Sequence, residues 1–307
     1  MRRFDWMLMV FVFAVSIGLQ TFGDDAPQSD APRSENPRRP SPERFAPKKE
    51  DAGVWDRETR AWLKASPTRL GNEVRASAGL PREGVVKEDD KPGATSGTAF
   101  SVSAKGYWLT ARHVAEGCAK TGIQTRERGV LKVDRTILHP RADVAMLITQ
   151  RGPDPLPVAP AGSTRDAYNI GFPAGQPGAV HTRFMGEMTL RHTGRRVGGG
   201  YRERVNAWSE RSRVPSRAGS LGGLSGGVVL DASGQVIGVV QAESRRRGRV
   251  MTARPKTLRE MFELARFTPP SASSGGGTVN LTGDSYPAAA RDLILSRRVA
   301  KVFCRTD

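Results

Sequence analysis

From Thr95 onward the sequence is a series of short apolar segments rich in β-branched residues, among them Thr98–Val102, Tyr107–Thr110, Val144–Ile148, Val228–Leu230 and Val236–Val240. Each is bounded by glycine, proline or a polar turn. Runs this short do not make helices long enough to bury a core, whereas many short strands with frequent turns specify an all-β sandwich or barrel. The sharpest turn signal is Asp231-Ala232-Ser233-Gly234, set between two apolar runs, which predicts a β-hairpin. Thr257–Phe267 has a helical period instead, with Leu258, Met261, Phe262 and Leu264 on one face before Pro269-Pro270 stops the chain.

The chain has 307 residues, enough for one medium domain with extensions. Arg2 and Arg3 precede an apolar run from Trp6 through Phe22, broken by Ser16, Gly18, Gln20 and Thr21, and the small residue Gly23 is followed by Asp24 and Asp25. Residues 1–23 therefore read as an export signal or membrane anchor, the run being short for a span of about 20 residues. Residues 24–91 are dominated by Pro, Ser and charged side chains and are expected to be a largely disordered linker with one short helix at Trp55–Leu70. The folded domain is placed at 92–270. A Ser/Gly linker from Ser271 to Thr278 follows, then a tail in which Leu293, Ile294, Leu295, Val299, Val302 and Phe303 dock back as helix, strand or both.

Lys and Arg number 48 against 31 acidic residues, a formal charge of +17, which draws a chain toward anionic membrane or envelope surfaces or nucleic acid. The arginines are scattered, in the tail, at Arg195–Arg204 and at Arg245-Arg246-Arg247, without aromatic RNA-binding signatures or a helix-turn-helix pattern, so nucleic acid is not the expected partner. Cys118 and Cys304 form a disulfide in an exported chain, or remain two thiols; spacing alone does not decide.

Three segments supply the parts of a nucleophilic site. Ser96-Gly97-Thr98-Ala99-Phe100 leads through Leu109-Thr110-Ala111-Arg112 to His113; Asp143 heads the apolar run Val144-Ala145-Met146-Leu147; Ser225 lies in the glycine-rich turn Gly222-Gly223-Leu224-Ser225-Gly226-Gly227. A serine hydroxyl becomes a useful nucleophile when an imidazole takes its proton and a buried carboxylate fixes the imidazole's tautomer. Glycines beside the serine allow backbone N–H groups to converge on an oxyanion, and the expected donors are the amides of Gly223 and Ser225. No metal or organic cofactor is called for. His139 and His192 are expected at the surface, and His181 is a candidate substrate contact.

In this order the Thr-Ala-x-His, Asp-Val-Ala-x-Leu and Gly-x-Ser-Gly-Gly motifs, with Asn169-Ile170-Gly171-Phe172-Pro173 between the second and third, resemble the chymotrypsin-like serine peptidases. The bacterial trypsin-like branch, with the HtrA proteases and glutamyl endopeptidases, is most similar. The resemblance covers Thr95–Phe267 and implies two perpendicular six-stranded β-barrels with a His113, Asp143, Ser225 triad between them, acting on protein or peptide substrates through an acyl-enzyme. Several residues depart from the pattern. Arg112 precedes the histidine where a small residue is usual, Leu224 replaces the aspartate of digestive members, and too few residues follow Pro270 for a PDZ domain. By resemblance Gly219 lies at the pocket floor, and Gln241, Ala242 and Glu243 form a pocket wall; Glu243 either favours a basic substrate residue or is a solvated charge beside Arg245–Arg247. The competing reading is a catalytically latent β-barrel scaffold that binds an anionic envelope component or a peptide.

Overall fold

The computed structural model describes residues 68–69, 79–87, 95–124, 129–159, 164–193, 200–215, 220–270 and 280–306. The expected export segment and the Ser/Gly linker lie outside these residues, as does Gly219. Of the helix expected at Trp55–Leu70, Thr68–Arg69 are described, and they form a strand, β1.

Fourteen further strands follow: β2 (Glu83–Lys87), β3 (Thr95–Ser103), β4 (Tyr107–Thr110), β5 (Lys120–Gln124), β6 (Val130–Lys132), β7 (Arg135–Leu138), β8 (Ala145–Ile148), β9 (Asp166–Gly171), β10 (Gly178–Thr193), β11 (Tyr201–Val214), β12 (Val228–Leu230), β13 (Val236–Ser244), β14 (Arg249–Ala253) and β15 (Val299–Arg305). They form two sheets, accompanied by a short helix α1 (Arg112–Ala115) and the longer α2 (Pro255–Ala265) and α3 (Tyr286–Leu295). In the second sheet the order β11-β14-β13-β12-β9-β10 is closed by a β10–β11 ladder, which makes a six-stranded barrel with β1 and β2 as added edges. The first sheet, β6-β5-β15-β3-β4-β8-β7, is seven-stranded and open. The all-β expectation therefore holds, with one unit closed and the other a curved open sheet.

The strands are built as the alternation of their side chains requires. On β3, β4 and β8, Phe100, Leu109 and Met146 face the core shared with the barrel, while Ala99, Trp108, Ala145 and Leu147 face the first sheet's own core. Burying both faces explains why these runs are nearly all apolar. In β13 the phase changes: Val236 and Val239 face the shared core, but Ile237 and Val240 face the barrel interior. A bulge opposite Val229/Leu230 inserts the extra residue that causes this. The predicted turn is present, with Asp231 Oδ1 accepting the N–H groups of Ser233 and Gln235 at 2.9 Å each, and Gly234 at φ 76°.

Two boundaries expected from sequence are corrected. Glu83–Lys87, inside the expected linker, pairs in parallel with Thr189–Thr193 of β10. The domain does not end at Pro270, because β15 lies between β3 and β5 and pairs with both, Val302 opposite Gly97 and Ile123. The tail is thus helix and then strand, an internal member of the sheet. The end of this strand is fixed by a Cys118–Cys304 disulfide across a sequence separation of 186 residues. Closing so long a loop restricts the unfolded chain by on the order of 5 kcal/mol in the chain-entropy picture.

Candidate active site

β4 ends at Thr110, and α1 then lifts His113 to the rim of the open sheet with its side chain 28% exposed. Asp143 comes from the β7–β8 connection and is 1% exposed. His113 Nδ1 lies 2.8 Å from Asp143 Oδ2, and the His113 backbone N–H donates to Oδ1 at 2.9 Å. One carboxylate therefore orients both the ring and the main chain of the histidine. Burial pushes the Asp143 carboxyl up, but the charge and hydrogen bonds of His113 outweigh it and hold the group below the usual carboxylate range.

Ser225 comes from the barrel side, in the turn before β12. Its carbonyl accepts the Thr98 N–H at 2.9 Å. The turn presses against the strand that leads to His113: a Cβ on Gly226 would meet Thr98 O at 2.0 Å and Thr110 Oγ1 at 2.3 Å, and one on Gly97 would meet Val114 at 2.6 Å and Ser225 O at 3.0 Å. These two positions require glycine so that the serine and histidine segments can come together. Gly226 (φ 83°) and Gly223 (φ 91°) also occupy the left-handed region.

The peptide planes around the serine are pinned by their carbonyls. Gly222 O accepts the Ala174 N–H, and Leu224 O accepts the Gly227 N–H at 2.7 Å. In a trans peptide the N–H points opposite to the C=O, so the amides of Gly223 and Ser225 are turned away from these two donors. Among the described residues neither amide has a hydrogen-bond acceptor. Thr98 Oγ1 ties the turn down further, donating to Gly223 O at 2.8 Å and accepting the Phe172 N–H at 3.0 Å.

Arg112, unusual before a histidine, has a defined structural place. Its guanidinium bonds Glu116, donates to the carbonyls of His139 at 3.0 Å and Pro140 at 3.2 Å, and lies over the Tyr201 ring. It thereby holds the loop that carries Asp143.

The other expected site residues separate. Gln241 is not a pocket wall: it is 3% exposed, and its Nε2 donates to Asp143 O at 3.3 Å and to both oxygens of Glu203 at 3.0 Å. Ala242 packs against the apolar cluster of Met188, Leu190, Val205, Ala207 and Met251. Glu243 is not a solvated charge, since Ser220 Oγ and the Leu221 N–H occupy its two oxygens and so fix the start of the serine turn. His181 packs beside Tyr168 and Tyr286 with its Nε2 3.0 Å from Asp166, so its ring is taken up by the docking of α3. His139 and His192, expected at the surface, are 5% and 0% exposed. His139 faces Glu260 of α2, and His192 stacks on Tyr201 with centroids 4.4 Å apart.

Sequence reasoning missed Glu203. It occupies an inward position of β11 in phase with Val205 and Ala207, is 5% exposed, and accepts the Asp143 N–H at 2.7 Å. A charged residue in the apolar phase of an alternating strand was the signal that could have found it.

Residues 97–239 match the family model for the trypsin-like peptidase domain. Among solved structures the chain is similar to the Rv3671c protease from M. tuberculosis in its active form, at 20% identity over 66% of this chain and 97% of that one, with a TM-score of 0.47. It is also similar to the HtrA-type protease AlgW with a decapeptide (21% identity, 55% and 51% covered, TM-score 0.44) and to a serine endoprotease from Yersinia pestis (20%, 56% and 58%, TM-score 0.39). No curated protein matches the chain.

Proposed function

We propose that this chain, whose residues 97–239 carry a trypsin-like peptidase domain, is an exported serine endopeptidase acting through His113, Asp143 and Ser225. The observation that carries the reading is the doubly bonded His113–Asp143 pair, with ring and main chain both held by one buried carboxylate, across Gly97 from the Ser225 turn. In this mechanism His113 takes the Ser225 proton as the hydroxyl oxygen attacks a peptide carbonyl, and Asp143 stabilises the imidazolium. The Gly223 and Ser225 amides receive the oxyanion, each such donor being worth about 3 kcal/mol in the transition state. The imidazolium then protonates the leaving amine, and water, deprotonated by the same ring, releases the acyl group from Ser225.

Beyond Val240 one edge of β13 is bonded to β14, while β12 has already left the other, which suits pairing with an extended substrate backbone. Export is supported by the charged and apolar order of residues 1–23 and by a disulfide suited to an oxidising compartment.

The test is to treat the protein from Asp24 onward, and its Ser225→Ala variant, with a fluorophosphonate probe and with an unfolded protein mixture whose products are read by mass spectrometry. Labelling and cleavage by the parent alone are expected. Equal behaviour of the two proteins would leave the barrel as a latent binding scaffold, the reading that a charge of +17 otherwise favours.

A further inference from the structure

The proposed pair is backed by a buried polar cluster built mainly by the barrel. Glu203 and His192 face each other across the β10–β11 hairpin, where Glu203 is in register with Leu190 and His192 with Tyr201. Glu203 accepts the Asp143 N–H at 2.7 Å and the Gln241 amide at 3.0 Å. Its neighbours in phase on β11 are Val205 and Ala207, so an apolar side chain would be the default there. A buried carboxylate in an apolar position is costly unless something retains it. Here what it touches is the residue that orients His113.

We infer that Glu203 is a positioning residue of the proposed site: it fastens the Asp143 main chain from the opposite sheet and sets a second carboxylate behind the His113–Asp143 pair. The inference rests on the reading of that pair as catalytic. Two consequences follow. The Asp143 loop, which belongs to the open sheet, is held in register by the barrel through Glu203 on its N–H and Gln241 on its carbonyl. A negative charge behind Asp143 also favours the protonated imidazole, so it strengthens His113 as a base. The charged and titratable groups that face Glu203 are Asp143 from the β7–β8 connection and His192 from β10; Gln241 from β13 is neutral, and His113 lies beyond Asp143. Burial raises the Glu203 carboxyl to about 7, so its charge is present on the alkaline side of neutrality, where a serine peptidase works.

The informative variant is Glu203→Gln. Its amide oxygen still accepts the Asp143 N–H, and its NH2 group can donate to Gln241 Oε1, which has no hydrogen-bond partner among the described residues, once the Gln241 amide turns over and gives up its bond to Asp143 O. The shape and the bond to the Asp143 N–H survive while the charge is lost. Glu203→Asp keeps the charge and shortens the reach. The primary measurement does not require turnover: the ring-proton NMR titration of His113, assigned by its disappearance in His113→Gln, is followed in wild type and both variants. In Glu203→Gln the His113 midpoint should fall by about a few tenths of a unit, limited because Glu203 itself takes up a proton near pH 7, and in Glu203→Asp by less. With peptide substrate, the acid limb of kcat/KM should move down in step, and kcat should fall several-fold with KM little changed.

An unmoved His113 midpoint in a folded Glu203→Gln protein overturns the inference, whether or not the protein cleaves peptides. Wild-type protein that neither labels nor cleaves, with a His113 midpoint that does shift, instead overturns the peptidase reading and leaves Glu203 as the group that tunes this histidine.

Discussion

The two sheets hold themselves together by different means. The barrel closes on itself through the β10–β11 ladder, and most of its neighbours in space are neighbours in sequence. The open sheet does not close, and its middle strand, β15, comes from the far end of the chain. Each nevertheless holds a buried tryptophan whose indole N–H donates to a threonine: Trp108 to Thr149 at 3.1 Å in the open sheet, Trp208 to Thr252 at 2.9 Å in the barrel. The halves of the proposed site divide the same way, with His113 and Asp143 from the open sheet and Ser225 and Glu203 from the barrel. The self-closed unit presents the proposed nucleophile and bonds the Asp143 main chain of the other unit, whose order depends on long-range closure.

The largest effect expected follows from this division. Ser225→Ala should lower kcat for peptide cleavage by on the order of 10⁴-fold or more, His113→Ala by a similar factor, and the double variant no further, because groups that act as a unit are not additive. Steady-state kinetics on the peptide found by the cleavage screen checks it. Additive losses would mean that the two sheets contribute separately, against a shared triad.

The next effect concerns closure of the open sheet. Replacing Cys118 and Cys304 together by Ala should lower stability by about 2 to 5 kcal/mol, a fall in Tm of roughly 5 to 15 °C. Deleting Val299–Asp307 should remove the sheet's cooperative unfolding altogether, since β3 and β5 would each lose the ladder to β15 and Ala300 and Val302 would leave the core. Calorimetry of the three proteins checks both. A truncated chain that still unfolds in one transition near the parent Tm would refute the dependence on the tail.

A smaller effect sharpens the comparison inside the two cores. Thr252→Val in the barrel leaves the Trp208 N–H without its acceptor and should cost about 1 to 2 kcal/mol. Thr149→Val should cost more, up to about 3 kcal/mol, because Thr149 Oγ1 also donates toward Gly106 O at 3.2 Å and Arg151 O at 2.7 Å. Urea unfolding of the two variants measures the difference, and an equal loss would mean that the Gly106–Arg151 turn is held by its backbone alone.

What was legible in the sequence is what local chemistry decides. The proposed site residues His113, Asp143 and Ser225 stand in short motifs because each role would need a particular backbone arrangement within a few residues, and Asp231–Gly234 encodes its own turn. β15 was ambiguous because its strand character depends on pairing with Phe100 and Ile123, far away in sequence. His139 and His192 were misplaced for the same reason. A histidine has no intrinsic preference strong enough to reveal burial, and theirs is set by α2 and by Tyr201. Gln241 and Glu203 were hidden because the partner they share, Asp143, belongs to the other sheet.

The smallest effect is on pH dependence. Burial lowers His139, beside the open sheet, and His181, in the barrel, below the ordinary value of 6.5. Each is neutral in the fold and more readily protonated in the unfolded chain, so the stability they contribute is fully present above about pH 6.5 and is lost as pH falls through their folded values. Facing charges moderate this: Glu260 favours and Arg141 and Arg112 oppose charging of His139, and Asp166 favours and Arg183 and Arg211 oppose charging of His181. Glu203 runs the other way. Raised from 4.5 to about 7, it binds a proton in the fold before it does in the unfolded chain, so between these values it loses stability as pH rises. Tm measured from pH 8 to pH 5 should therefore fall modestly in wild type, fall less in His139→Gln and His181→Gln, and fall more steeply in Glu203→Gln. If only His139→Gln flattens the curve, the acid-sensitive unit is the open sheet with its α2 contact, and the barrel, closed on itself, tolerates a charged His181.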